Sequence, residues 1–325
     1  MSKALCVGIN YYKYGNSLPA CTDDARAIGH ALSHNYDASN NFDVSYLLAE
    51  DEQSICTSSK LFSAVRELFS QETDTVLFYY SGHGGIFNGA GYLLPSDAEY
   101  LEDCLTMETL LEMISQSKAT NKIIILDSCH SGSLGKFSTL PGCDVLPVNT
   151  TILAASRADQ TSGMNIYGSF FTMSLYEALY GGAANILGEI TPASVYTFID
   201  RALSNHEQRP VFKANLDNFI CLRKHKPDIA LEDLRKITKF FFKPEYEFPL
   251  DPSYEEDKRD VTDEKYQVHN LEHEADFSLL RKYAALNLVL PVDAPYMYQA
   301  AVNFKSCKLT PSGVFYWKLL KQKII

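Results

Sequence analysis

Two apolar runs in this chain each end in a short tract of small residues that carries a reactive side chain. The run from Thr75 to Tyr80 leads into Ser81-Gly82-His83-Gly84-Gly85, and the run from Lys122 to Leu126 leads into Asp127-Ser128-Cys129. A thiol with an ordinary pKa of about 8.5 is only a few per cent thiolate at neutral pH, so an imidazole is needed to activate it. The pattern predicts His83 and Cys129, 46 positions apart, as a reactive pair.

Strand-like and helix-like segments alternate over the first two thirds of the chain, which indicates an α/β fold. Continuous apolar strands that alternate with amphipathic helices predict a mostly parallel sheet covered on both faces. Ligands of such sheets bind beyond the carboxyl ends of the strands, where His83 and Cys129 both fall. Thr22 or Asp23 is the expected N-cap of the first helix, and Phe219 to Leu222 reads as a last strand.

The composition is that of a soluble globular protein. With 325 residues, 46% hydrophobic and 21% charged, the chain can bury a large core without disulfides. Its eight cysteines form no C-x-x-C pair, which fits a reducing, cytoplasmic location. We expect no signal peptide and no membrane span, because no apolar run approaches 18 residues. The net charge of -11 argues against a nucleic-acid-binding protein.

Composition also divides the chain into three predicted parts. Residues 1–222 hold the alternating segments and the reactive pair. Residues 223–275 read as a basic hinge that ends at Pro227, then a helix, then an acidic connector. Residues 276–325 regain amphipathic patterns and form a small module. We predict a helix over 277–290. We also predict that a protease specific for basic residues would cut at the three basic residues of the hinge.

Four tracts, taken together, resemble the caspase and metacaspase superfamily. Tyr80 to Gly84 is similar to its histidine motif, and Asp127 to Gly132 is similar to its cysteine motif. Cys21 to Ala25 resembles a metacaspase segment, with Asp23 in place of Asn, and Gly168 to Thr172 resembles the small-subunit helix. The tracts appear in the family's order and span roughly residues 3–222. The resemblance implies a caspase-like α/β sheet and a cysteine endopeptidase.

The resemblance also implies the catalytic roles. Cys129 attacks the scissile carbonyl, His83 acts as the general base and then as the general acid, and the N–H groups of Gly84 and Cys129 stabilise the oxyanion. Two alternatives stay open. In the first, His83 is an ordinary turn residue and Cys129 is a buried thiol. In the second, the chain is a catalytically silent scaffold that regulates a partner.

Substrate preference follows from the charges that the resemblance assigns to the S1 pocket. Asp24, Asp127 and Ser81 occupy the pocket positions of metacaspases, so we expect cleavage after Arg in preference to Lys, since a guanidinium offers a planar fork to two carboxylates. Arg157 leaves open a caspase-like preference for Asp. Asp23 either adds charge to the pocket or caps a helix. We predict no metal ligands and no cofactor, because the calcium site of metacaspases is not recognisable here.

The last 50 residues resemble small winged-helix-like modules of prokaryotic caspase-like proteases. The likeness rests on residues 286–289 and 309–317. We expect this mainly helical module to dock a sensor, adaptor or inhibitor protein. Nucleic-acid binding through its lysines and simple packing against the protease stay open as alternatives. By analogy, the architecture favours a regulated effector in bacterial defence, with no membrane partner.

Overall fold

The computed structural model describes residues 2–87, 90–128, 146–155, 169–203, 210–259, 261 and 263–325. The chain divides into two compact units, Met1–Lys226 and Pro227–Ile325. Cys129 and Arg157, both named by the sequence analysis, lie outside the described residues. No helix within the described ranges is long and apolar enough to cross a membrane.

The described part of the first unit is built on a six-stranded sheet in the order β10-β8-β7-β3-β1-β2. Only β10, at one edge, runs antiparallel to its neighbour, so the prediction of a mostly parallel α/β sheet is confirmed. The strands in chain order are β1 (Ser2–Ile9), β2 (Phe42–Ala49), β3 (Thr75–Gly82), β4 (Gly84–Phe87), β5 (Ala90–Leu93), β6 (Leu105–Thr106), β7 (Asn121–Ser128), β8 (Thr150–Ala154), β9 (Glu189–Ile190), β10 (Val211–Asn215) and β11 (Arg223–Lys224).

Helices cover both faces of this sheet, which is why its central strands are apolar throughout. All eight residues of β3 are buried, because alternate side chains enter two separate cores. One core packs against α2 and α3, and the other packs against α1, α4 and α5. These helices are α1 (Cys21–Ser33), α2 (Ser58–Ser70), α3 (Met107–Ser115), α4 (Phe170–Glu177) and α5 (Pro192–Ala202).

Two smaller sheets complete the described part of the first unit. Strands β4, β5 and β6 form an antiparallel sheet directly after β3, and β9 pairs with β11. The strand expected at Phe219 to Leu222 is wrong, because the antiparallel edge strand is β10, which precedes it. Along β10, Phe212 packs on Tyr196 of α5, with ring centroids 5.1 Å apart.

The described part of the second unit combines helices with a three-stranded antiparallel sheet in the order β12-β14-β13. Its centre is apolar and includes Phe277, Leu280 and Tyr283, which are all buried. The elements are α6 (Leu231–Arg235), α7 (Ile237–Phe240), β12 (Phe248–Pro249), α8 (Leu271–Ala285), β13 (Val289–Val292), α9 (Met297–Val302), β14 (Ser306–Leu309) and α10 (Pro311–Lys321). The winged-helix likeness of this unit stays a prediction.

The stretch predicted as a hinge and connector, residues 223–275, differs from expectation in two places. The Arg223 guanidinium donates to the carbonyl oxygens of His34 at 2.9 Å and Leu179 at 2.7 Å, so this end is a fixed strand. In the acidic part, β12 joins a sheet and Leu250 is buried. A few apolar residues are enough to anchor an acidic segment, which composition alone does not show.

Candidate active site

His83 lies at the carboxyl end of β3, beside the end of β7. The parallel register pairs Ser81 with Asp127 and Gly82 with Ser128. His83 follows Gly82 directly, and Cys129 is the residue after Ser128. The described structure therefore ends β7 immediately before the predicted nucleophile, next to the predicted base.

The His83 imidazole is oriented by a backbone carbonyl. Its Nε2 atom lies 2.8 Å from the carbonyl oxygen of Asn16, in the loop between β1 and α1. A carbonyl oxygen only accepts, so Nε2 donates, and Nδ1 of the neutral ring then carries the lone pair. The Tyr12 ring packs on the imidazole with centroids 4.6 Å apart. In the neutral ring, Nδ1 is therefore the nitrogen available to act as a general base.

Two tyrosine hydroxyls hold the backbone of His83. Its N–H donates to the Tyr12 hydroxyl at 2.7 Å, and the Tyr80 hydroxyl donates to its carbonyl oxygen at 2.8 Å. Both tyrosines are buried in the core beside α2 and α3. Burial raises the pKa of each phenol well above its usual value, so both remain protonated at physiological pH.

Gly84 brings the backbone of β4 against the end of β7. A Cβ atom at Gly84 would lie 2.8 Å from the Ser128 Oγ atom, which is too close for any other residue. The Ser128 Oγ atom is itself buried, with no hydrogen-bond partner among the described residues. Glycine at this position therefore allows the chain after His83 to approach the strand end that precedes Cys129.

The predicted pocket residues Ser81 and Asp24 are brought together by the structure. Asp24 lies in the first turn of α1 and is only 7% exposed. The Ser81 hydroxyl donates to Asp24 Oδ2 at 3.2 Å. Ser81 is also paired with Asp127 across the sheet, and paired residues of parallel strands share a face. All three predicted pocket residues therefore lie together on the α1 face of the sheet.

Asp127 is held by a chain of hydroxyls that the sequence analysis did not identify. Thr172 in α4 donates to Asp127 Oδ2 at 2.7 Å. Because a carboxylate accepts, the Tyr79 hydroxyl must in turn donate to Thr172 Oγ1, at 2.6 Å. All three side chains are buried. Thr172 falls in a tract that the sequence singled out, but its distance of 45 positions from Asp127 gave no local signal.

The start of α1 is fixed from outside the helix. The Asn10 side chain accepts from the Thr22 N–H at 3.1 Å and donates to the Thr22 hydroxyl at 3.0 Å. The structural N-cap is Ala20, so the prediction of Thr22 or Asp23 is wrong, and Asp23 is exposed in the first turn. Asn10 satisfies an N–H that Ala20 cannot, which fixes the turn that carries Asp24.

The described residues contain no group of three or more His, Cys, Asp or Glu side chains that could hold a metal ion. Asp24 and Asp127 are the acidic residues of the site, and both accept hydrogen bonds from hydroxyls. Independence from calcium stays a prediction.

The fold and the site define an α/β protein with a histidine oriented at the end of a parallel strand. The family model of the caspase domain, peptidase C14, matches residues 1–220. The chain therefore belongs to the caspase-domain family of cysteine peptidases, as the four tracts predicted.

Individual relatives agree with this assignment. Metacaspase-1 of Schizosaccharomyces pombe is 31% identical over 143 residues, which cover 40% of this chain and 34% of that protein. Metacaspase-1 of Meyerozyma guilliermondii is 26% identical over 248 residues, 71% of this chain and 57% of that protein. The crystal structure of caspase-1 from Spodoptera frugiperda covers 69% of this chain and 90% of its own, with a TM-score of 0.50 and 15% identity. This chain thus spans between a third and three fifths of the length of these metacaspases.

Proposed function

We propose that the protein is a cysteine endopeptidase that cleaves after basic residues, with Arg preferred over Lys. The observation that carries this proposal is the register that pairs Gly82 with Ser128, because it sets the oriented His83 beside the strand end that leads to Cys129. Membership of the caspase-domain family supports the same reaction class.

The reaction would follow the chemistry of a thiol and imidazole pair. His83 takes the proton of the Cys129 thiol, and the thiolate attacks the scissile carbonyl carbon to form a tetrahedral oxyanion. The N–H groups of Gly84 and Cys129 stabilise that oxyanion, and one such donor is typically worth about 10²–10³ in rate. His83 then protonates the leaving amine, and water hydrolyses the thioester in a second step.

Charge on the α1 face supports the preference for arginine. Asp24 and Asp127 are buried carboxylates on the same face, and each is oriented by a hydroxyl donor. A guanidinium offers several N–H donors in one plane and bridges two carboxylates, whereas an ammonium acts as a point charge. We therefore assign Asp24, Asp127 and Ser81 to the S1 pocket.

The test is cleavage of fluorogenic peptides that end in Arg, Lys or Asp, by the wild type and by the Cys129→Ala variant. We expect turnover of the Arg peptide, weaker turnover of the Lys peptide, and loss of both in the variant. Cys104→Ala is the matched control, since burial raises the pKa of the Cys104 thiol to about 11 and that thiol should be inert. Turnover of the Asp peptide would contradict the pocket assignment, and activity that survives in Cys129→Ala would contradict the mechanism.

The location of the protein and the role of its second unit are also proposals. We propose that the protein is cytoplasmic, and that the second unit recruits a sensor, adaptor or inhibitor protein within bacterial defence. The alternative of a silent scaffold predicts no turnover of any peptide by the full chain, with or without its partner. Turnover of any peptide that is lost in Cys129→Ala would therefore exclude the silent scaffold.

A further inference from the structure

We propose that Tyr12 and Tyr80 are positioning residues of the base, and that their hydroxyls hold the backbone N–H and C=O groups of His83. The proposal rests on the function proposed for His83. It assigns to these two tyrosines a task that neither the sequence motifs nor the family comparison gave them.

Each hydrogen bond to the backbone of His83 has a defined direction. The His83 N–H donates to the Tyr12 hydroxyl at 2.7 Å, so the Tyr12 oxygen is the acceptor. The Tyr80 hydroxyl lies 2.8 Å from the carbonyl oxygens of both His83 and Leu94, and its one proton is shared between these two acceptors. Tyr12 thus holds the N–H of His83, and Tyr80 holds its C=O together with that of Leu94.

This position needs an external support. His83 lies between β3 and β4 and belongs to neither strand, and its N–H donates to a side chain, the Tyr12 hydroxyl. An unsatisfied N–H next to a core is costly, and a hydrogen bond is stronger where the local dielectric is low. Tyr12 and Tyr80 are 5% and 0% exposed, so water does not compete for their hydroxyls. The two hydroxyls thus hold the backbone of His83 at the point where β3 ends.

Gly82 shows how tightly the two hydroxyls are packed. A Cβ atom at position 82 would lie 2.6 Å from the Tyr12 hydroxyl and 2.7 Å from the Tyr80 hydroxyl. Real Cβ atoms essentially never approach another atom so closely. The glycine before the base therefore makes room for both hydroxyls at once.

The loop that carries Tyr12 also contacts the imidazole itself. Tyr12 contacts the His83 ring, and Asn16, four residues further along the same loop, accepts from Nε2. One loop therefore holds the backbone N–H, one ring face and one ring nitrogen of His83. A displacement of about 1 Å between reacting groups can cost roughly 10²-fold in rate, so fixing the base in this way contributes to turnover.

The test compares Tyr12→Phe and Tyr80→Phe with the wild type on the Arg peptide. Tyr12→Phe keeps the aromatic ring but removes the hydroxyl that accepts from the His83 N–H. We expect kcat to fall roughly tenfold while KM changes less than about twofold. Tyr80→Phe should cost less, because the Leu94 N–H still donates to the His83 carbonyl at 3.0 Å. The matched control is Tyr283→Phe, another buried tyrosine that donates to a backbone carbonyl, in the second unit. It should leave both constants unchanged.

Three measurements separate positioning from general destabilisation. Thermal unfolding checks that each variant is folded, and kcat is expressed per active site by titration with a thiol alkylator. The rate of Cys129 alkylation at neutral pH, located by mass spectrometry, then reports the base directly and should fall in Tyr12→Phe. Burial raises the pKa of Cys6, Cys56 and Cys307 among others, so these thiols do not compete.

The outcomes also distinguish the two proposals. If the wild type is active and Tyr12→Phe and Tyr80→Phe match Tyr283→Phe in kcat and alkylation rate, the positioning proposal is overturned and the proposed function stands. If the wild type cleaves no peptide and alkylation of Cys129 is unchanged in His83→Ala, the proposed function itself is overturned. Should Tyr12→Phe fail to fold, Tyr80→Phe carries the same comparison.

Discussion

Position 82 tolerates only glycine, because two phenol oxygens occupy the space that a side chain would need. In Gly82→Ala, the Cβ atom meets the Tyr12 and Tyr80 hydroxyls at 2.6 and 2.7 Å. We expect the free energy of unfolding to drop by about 1–3 kcal/mol, as is typical of overpacking, and kcat to fall as well. Urea denaturation gives the first quantity and peptide cleavage gives the second.

Gly15→Ala is the control for this prediction. Its Cβ atom would meet the Cβ of Tyr12 at 3.6 Å, an ordinary van der Waals contact in the same loop. Its stability and activity should stay close to those of the wild type. An alanine at position 82 that changed no more than one at position 15 would contradict the steric argument.

At the residue scale, the sequence predicted the residues that carry local motifs and missed those that act through tertiary contacts. His83, Ser81, Asp24 and Asp127 stand in tracts of recognisable spacing, and the structure brings all four to the ends of β3 and β7 or onto α1. Tyr12 lies 71 positions from the N–H it accepts. No periodicity in the chain encodes such a contact, which depends on the register of strands and on one loop.

At the scale of elements, α4 acts on the site through a single side chain. Thr172→Val keeps the shape of the residue but leaves Asp127 Oδ2 without this donor and the Tyr79 hydroxyl without this acceptor. A hydrogen bond to a charged group is worth about 1.5–3 kcal/mol, so we expect kcat/KM for the Arg peptide to drop about tenfold or more. The ratio of Arg to Lys cleavage should also decrease, because the carboxylate loses its fixed orientation.

The control for this prediction is Thr197→Val in α5. Its hydroxyl donates to the Ala193 carbonyl of the same helix at 3.0 Å and lies on an exposed surface. Kinetics on both peptides measure the two variants side by side. Equal constants for Thr172→Val and the wild type would show that α4 has no part in recognising the P1 residue.

Element boundaries were predicted less well than element types, and the end of α8 shows why. The apolar residues 286–289 extend the helical pattern, so the sequence predicted a helix over 277–290. The structure ends α8 at Ala285, because Asn287 adopts a left-handed backbone with φ of 55° and the chain turns into β13. Asparagine tolerates that conformation better than most residues do. At its other end, α8 begins earlier than predicted, since the Asn270 side chain accepts from the His273 N–H.

At the scale of the whole molecule, charge is unevenly distributed along the chain. The net charge is -11, yet residues 277–325 contain seven Lys or Arg residues and one acidic residue, Asp293. The basic end favours phosphate contacts, whereas the acidic remainder repels a polyanion over a distance of about 8 Å at physiological salt. We expect the repulsion to prevail, so that the full chain binds proteins in preference to nucleic acid.

This prediction is tested by fluorescence anisotropy with labelled duplex DNA over a series of salt concentrations. We expect no saturable binding by the full chain at physiological salt. Lys318→Glu combined with Lys321→Glu, both on α10, is the matched variant and should behave like the wild type. Binding that weakens steeply with salt, and that the double variant loses, would contradict the prediction, because phosphate contacts release counterions.

Adjacent tyrosines on β3 point into different cores. Tyr79 lies beside α1, α4 and α5 and leads through Thr172 to Asp127, whereas Tyr80 lies beside α2 and α3 and leads to the backbone of His83. On the proposed function, the pleat places the residues assigned to P1 recognition on one face of the sheet and the tyrosines that hold the base on the other. A substitution on one face need not disturb the other, so substrate preference could change in evolution while the chemistry stays the same.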